Sequence, residues 1–182
     1  MKNIRGSLGL PRLALALGIV AIASMLILSP ASLAFADDPL GAQIAEVRAA
    51  TVHFHDVQTA QAAGYGQFLG CISEPGQGAM GIHFPNGSFA SDTVLDPLRP
   101  EVVIYEPKEN GQLQLVAIEY LMFKDAWDAG HSQPPSLFGQ EFHLVGSPNR
   151  YGLPPFYELH LWAWKHNPQG MFYDWNPKVT CP

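Results

Sequence analysis

The chain has 182 residues, with 10 Lys and Arg against 16 Asp and Glu, for a formal net charge of −6. Three of the basic residues, Lys2, Arg5 and Arg12, lie in the first 36 positions, so residues 37–182 carry seven basic against sixteen acidic groups, a net charge of −9. Such a balance excludes an electrostatic footprint for DNA or RNA and gives no attraction to anionic lipid.

Residues 1–36 have the three parts of a secretory signal: the basic start, an uncharged run from Leu13 to Leu28, and the small–x–small site Ala34-Phe35-Ala36. An uncleaved membrane anchor is the alternative. The uncharged run of 16 residues falls short of the roughly 20 needed to span a bilayer, and the Ala-x-Ala site stands where cleavage needs it. The expectation is a signal peptide over 1–36 and a single secreted or periplasmic domain over 37–182, with no membrane contact after cleavage. No later apolar run is long enough to span.

Residues 38–63 read as a helix. Asp38 is the N-cap and Pro39 takes the first helical position. Ile44, Val47, Thr51, Phe54 and Val57 recur at spacings of three and four, which makes one buried stripe. Gly64 is placed to take a left-handed cap.

Beyond Gly70, Gly and Pro become frequent and the apolar runs shorten. Strands are expected at Ala79–Phe84, Glu101–Glu106, Leu113–Phe123, Glu141–Val145 and Phe156–Trp164, all rich in β-branched and aromatic residues. Glu109-Asn110-Gly111 predicts a hairpin between the second and third of these, and Pro85-Asn86-Gly87-Ser88 reads as a turn. Residues 125–139 and 146–155 read as loops. A lone helix followed by hairpin-linked strands predicts an α+β fold, with the N-terminal amphipathic helix packed on an antiparallel sheet, either open or barrel-like.

Cys71 and Cys181 are an even pair in an exported chain and are expected to form a disulfide; two unrelated buried thiols are the alternative. Closing so long a loop contributes on the order of 4–5 kcal/mol in the chain-entropy account.

The usual nucleophile, phosphate-loop and zinc-helix motifs are absent. Histidine is the unusual residue, with seven copies, all after position 52. His83, His143 and His160 each interrupt an apolar strand, as does Glu119. On strict alternation Glu119 shares a face with Leu113, Leu115, Ala117 and Leu121, and Glu158, His160, Trp162 and Trp164 share one face of the last strand. A buried carboxylate needs a cation or several donors, and neutral imidazoles converging with it make a site for a divalent transition metal: Zn, Cu or Fe. The expected ligands are His83, Glu119, His143 and His160, with Glu158 replacing His143 if the latter points away. Hydrogen-bonded core histidines are the competing reading. His53, His131 and His166 are expected at the surface or in turns, with His55 able to reach the sheet.

Phe156, Tyr157, Trp162, Trp164, Phe172, Tyr173 and Trp175 form an aromatic cluster between the last strand and the tail. It is either core or a platform of Trp162, Trp164 and Glu158 for a small-molecule or glycan ligand.

The segments Met80-Gly81-x-His83-Phe84, Tyr105-Glu106-Pro107, Glu119-Tyr120, Glu158-Leu159-His160-x-Trp162 and Asn167-Pro168-x-Gly170-x-Phe172-x-x-Trp175-Asn176-Pro177-x-x-x-Cys181-Pro182 resemble a family of uncharacterised secreted bacterial proteins. The likeness runs over most of residues 37–182 and includes Ala63-Gly64-Tyr65. It implies export and a single domain and names no reaction. The His and Glu composition is also similar to that of cupins, but the cupin order of two histidines one residue apart followed closely by glutamate is not present. Two functions follow: a secreted metal-binding domain, as a metal-dependent enzyme or not, and a non-catalytic carbohydrate or small-ligand binder.

Overall fold

In the computed structural model the described residues are 38–182. The expected signal segment, its cleavage site and Asp37 lie outside them. The structure is α+β, with a large antiparallel sheet curled into a half-barrel.

The N-terminal helical segment forms in three pieces. Helix α1 spans Pro39–Thr51, a 3₁₀ turn covers Val52–His55, and helix α2 spans Val57–Ala62. Pro39 opens α1 as expected, although the Asp38 side chain makes no capping hydrogen bond. The break comes at Asp56, which leaves helical geometry and accepts from the amide of Gln58 to cap α2. Ile44, Val47, Thr51 and Phe54 are buried, as their spacing predicts. Gly64 closes the segment with φ +96°.

Six strands form the main sheet: β1 (Phe68–Glu74), β2 (Gly78–Pro85), β3 (Val102–Pro107), β4 (Leu113–Phe123), β7 (His143–Val145) and β8 (Phe156–Leu161). Their order is β1-β2-β3-β4-β8-β7, and every neighbouring pair is antiparallel. The hairpin expected across Asn110-Gly111 is the β3–β4 pair. Four elements are not among those the sequence predicts: strand β1, strand β5 (Ser136–Leu137), and the short helices α3 (Gly87–Ala90) and α4 (Lys124–Asp128). In place of a turn alone, Asn86 caps α3 by accepting from the amide of Ser88.

Expected strand Glu141–Val145 is interrupted. Strand β6 (Gln140–Glu141) pairs with β5 (Ser136–Leu137) in a separate ribbon, and β7 joins the main sheet. Between them Phe142 is buried among the apolar residues under the helices.

One face of the sheet packs on the helices. Ile44, Val47 and Phe54 meet Val103, Tyr105, Ile118, Tyr120, Leu159 and Leu161 there. On the other face Val102, Ile104, Ala117, Leu121, Phe156 and Trp162 pack with Val179 of the C-terminal tail and with Tyr151 and Leu153. Strict alternation fails within β4. Ile104 pairs with Ala117, whereas Tyr105 pairs with Leu115, so Val116 is an extra residue in a β-bulge. Leu115 is thereby turned to the helix side, and Glu119 stays on the opposite face with Ala117 and Leu121.

Cys71 and Cys181 are bonded, with Cα atoms 5.6 Å apart. The tail is also held by Asn176, whose backbone exchanges hydrogen bonds of 3.2 and 3.1 Å with Ala79. A Cβ on Gly78 would meet the Asn176 carbonyl oxygen at 2.2 Å, so only glycine lets the tail dock on β2. No helix among the described residues is long and apolar enough to cross a membrane.

Candidate metal centre

Five side chains on the tail-covered face of the sheet and one from the tail, all of types able to ligate metal, form two adjoining groups. His83, Glu119 and His160 form the first, with ligand atoms all within 4.8 Å of one another. His143, Glu158 and Asp174 form the second on the same criterion.

Pairing register explains the first group. Glu119 of β4 stands opposite His160 of β8. His83 lies two strands away on β2, opposite Ile104, and the curl of the sheet carries it diagonally to Glu119. Its Nε2 is 3.4 Å from Glu119 Oε2, and its ring centroid is 5.7 Å from that of His160.

His143 departs from the expected four-residue set. Its partner in register is Glu158, because β7 lies outside β8, one strand beyond His160. His143 Nε2 therefore binds Glu158 Oε1 at 2.8 Å and stands 3.6 Å from Asp174 Oδ2, half exposed at the edge of the sheet. Sequence reading placed Glu158 on the right face and missed Asp174. Asp174 sits in an irregular tail with no periodicity to mark it, yet it is the only acid after Glu158. Two buried asparagines shape that tail. Asn167 donates to the carbonyls of Tyr173 and Trp175, and Asn176 accepts from the amide of Lys178.

The expected platform of Trp162 and Trp164 does not form. Strand β8 ends at Leu161, and the amides of Trp164 and Lys165 turn in to the carbonyl of Val116. Trp162 is buried on the site face and donates through Nε1 to the carbonyl of Tyr173. Trp164 is on the helix side, where its Nε1 donates to Thr51 Oγ1 at 3.2 Å and His55 packs edge-on at 4.4 Å. The remaining histidines are peripheral: His53 and His166 are exposed, and exposed His131 stacks on Trp127 at 3.7 Å.

Three of the four buried side-chain polar atoms without a hydrogen-bond partner, among the described residues, belong to this site: His83 Nδ1 and both ring nitrogens of His160. A buried polar group left unpaired costs about 1–3 kcal/mol, so such a pair of rings is unfavourable as plain core. Burial, then the neighbouring His160, lowers His83 to about 3, and burial lowers His160 too. Both imidazoles are thus neutral at ordinary pH, the state that ligates metal.

The carboxylates divide by environment. Burial, then the nearby Glu158 charge, raises Glu119 well above the ordinary range. Burial raises Asp174 also. Burial opposes the ionisation of Glu158, but the hydrogen bond from His143 and the charge of that ring hold it below its ordinary value. The same hydrogen bond raises His143. Glu119 and Glu158 are diagonal neighbours on β4 and β8, and their opposite shifts place a proton on Glu119 when no metal is bound.

Glu106, a buried carboxylate with a plain structural role, looks different. Lys165 Nζ lies 2.9 and 2.7 Å from its two oxygens, Lys108 binds it as well, and the amide of Thr180 donates at 3.2 Å. Burial would raise it, but these hydrogen bonds hold it low. Among the described residues no Lys or Arg pairs with Glu119, Glu158 or Asp174; their only ionic partners are histidines.

A cavity of about 200 Å³ opens against the first group. His83, Glu119, Glu158 and Tyr151 supply its ionisable lining, and the rest is mostly apolar, including Phe68, Ile72, Leu121, Phe123, Leu153 and Phe156. Two groupings able to hold a metal thus sit beside a cavity on the sheet face against which a disulfide, a bond of oxidising compartments, fixes the C-terminal tail. No protein-family model matches the chain, and no curated protein or solved structure matches it.

Proposed function

We propose that this protein is an exported metal-binding protein that holds a divalent transition-metal ion between His83, Glu119 and His160, at the floor of a pocket for a small, largely apolar molecule. The observation that carries the reading is His160: wholly buried, with both ring nitrogens unpartnered, beside a neutral His83 and a carboxyl group that no Lys or Arg pairs. Two imidazoles and one carboxylate suit Zn, Fe or Cu, and three protein ligands leave coordination positions for water or substrate. The cavity beside them supports a metal-dependent enzyme in which the ion polarises the substrate's one polar group while the apolar walls hold the remainder.

Export is supported by the residues of the signal, Lys2 to Ala36, and by the disulfide. N-terminal sequencing of the exported protein is expected to begin at Asp37; a mature pool that retains Met1 overturns it.

Metal analysis of protein purified from its native compartment tests the main reading. At least one equivalent is expected in the wild type and its loss in His83→Ala and His160→Ala, with His131→Ala unchanged. Folded wild-type protein that takes up no transition metal overturns it. The second reading, a non-catalytic small-ligand binder, is favoured by the apolar lining alone. It predicts that small apolar ligands bind equally well after chelation.

A further inference from the structure

From the close approach of the two ligand groups we infer that the site holds two divalent metal ions, the second bound by His143, Glu158 and Asp174. The inference rests on the reading of His83, Glu119 and His160 as a metal site and extends it.

Three observations carry it. Each group independently brings three ligand atoms of the right types within 4.8 Å of one another. The groups also adjoin: Glu119 and Glu158 are diagonal neighbours on β4 and β8 that line one cavity, and His160 Nδ1 lies 3.7 Å from Asp174 Oδ1. Paired metal ions in enzymes stand about 3.5–4 Å apart, a spacing that ligand groups adjoining this closely can support. The third observation is charge. Glu119, Glu158 and Asp174 bring three carboxylates to a site where, among the described residues, they have no Lys or Arg partner. One divalent ion leaves this trio under-neutralised. Two leave a single positive charge, which suits a bridging hydroxide or an anionic substrate group.

The orphaned nitrogens of His160 separate this arrangement from a surface acid cluster. The ring is fully buried and lies between the two groups, in range of Glu119 and His83 on one side and Asp174 on the other. The second group is the more exposed: His143 is nearly half exposed and Asp174 about a quarter, whereas His83, Glu119 and His160 are buried. The second ion therefore exchanges faster and is lost first on chelation. The pocket is lined by His83 and Glu119 from one group and Glu158 from the other, so a bound molecule meets both ions.

The test is a Co(II) titration of the disulfide-intact, EDTA-treated protein. Bound metal is measured after equilibrium dialysis, and the spin signal per cobalt is followed as each equivalent enters. Two equivalents are expected in the wild type, with the signal per ion falling as the second fills. His143→Ala, at a half-exposed position, and Asp174→Asn are each expected to bind one equivalent, with unchanged circular dichroism and at least a tenfold weaker second binding step. One equivalent in the wild type and in both variants overturns the second ion and leaves the first. Two equivalents retained in both variants place the extra ion elsewhere and overturn the inference. Failure to bind any cobalt overturns both this inference and the reading beneath it.

Discussion

The helix side of the central sheet buries about twice as many apolar side chains as the tail side, and the two faces treat polar groups in opposite ways. On the helix side every buried hydroxyl finds a partner. Tyr105 donates to the carbonyl of Phe54, Tyr65 to Pro100 and Tyr120 to Pro97, each at 2.7 Å, and Thr51 donates to Val47 at 2.8 Å. On the tail side His83 and His160 are buried with ring nitrogens unpaired, and three carboxyl groups lean on histidines alone. The first face is organised for stability. The second retains unfavourable desolvation, and departures from polar satisfaction of this kind mark functional sites.

The largest effect separates the faces by what pins them. Cys181→Ser should cost about 2–5 kcal/mol in denaturant unfolding, because the bond closes a loop across 110 positions. Amide exchange should rise first in residues 167–182, with the α1–sheet interface still protected. Equal loss on both faces would break the comparison.

Metal comes next. Saturating divalent transition metal, at about 100 times Kd, should stabilise the folded protein by about 2.7 kcal/mol. The gain should vanish in His83→Ala and shrink only in part in His143→Ala, as read by thermal melting. A uniform gain in all variants would place binding elsewhere.

Paired substitutions give the sharpest contrast, because they should differ in sign. His160→Leu removes two unpaired nitrogens at similar volume and should stabilise the metal-free protein by about 1–3 kcal/mol while abolishing metal binding. Tyr105→Phe on the helix side removes a made hydrogen bond, orphans the Phe54 carbonyl, and should destabilise by about 1–2 kcal/mol. If His160→Leu destabilises as Tyr105→Phe does, His160 is a core residue.

The effect that is smallest per step of the condition changed, one pH unit at a time, concerns Glu101, the exception on the helix side. Burial raises its carboxyl from 4.5 to about 8, against hydrogen bonds from its own amide and that of Leu121. The native state thus keeps a proton that the unfolded chain releases near pH 4.5. The contribution is fully present below that pH and is lost as pH rises through about 8. Stability should fall across this window by at most about 1.4 kcal/mol per pH unit, and Glu101→Gln should flatten the slope. An unchanged slope in the variant would assign it to other groups.

The sequence by itself determined the α+β class, the buried stripe Ile44–Val47–Thr51–Phe54, the β3–β4 hairpin and the Cys71–Cys181 bond. Each rests on local periodicity, on turn chemistry or on the only cysteine pair available. It also picked out His83, Glu119, His160 and Glu158, because a polar group interrupting an apolar strand is visible without coordinates. Tertiary structure decided how those groups are shared. The Val116 bulge kept Glu119 on the site face while turning Leu115 away, and a bulge leaves no mark in a pattern of period two. Strand order put His143 beyond His160, so it met Glu158 and not Glu119. The end of β8 at Leu161 sent Trp162 and Trp164 to opposite faces, which periodicity extended past a strand end cannot foresee. Asp174 entered through an irregular tail held by Asn167, Asn176 and the disulfide. Faces follow from a two-residue repeat, but which side chains meet across strands depends on register, bulges and tail docking, and these are set by contacts far apart in the chain.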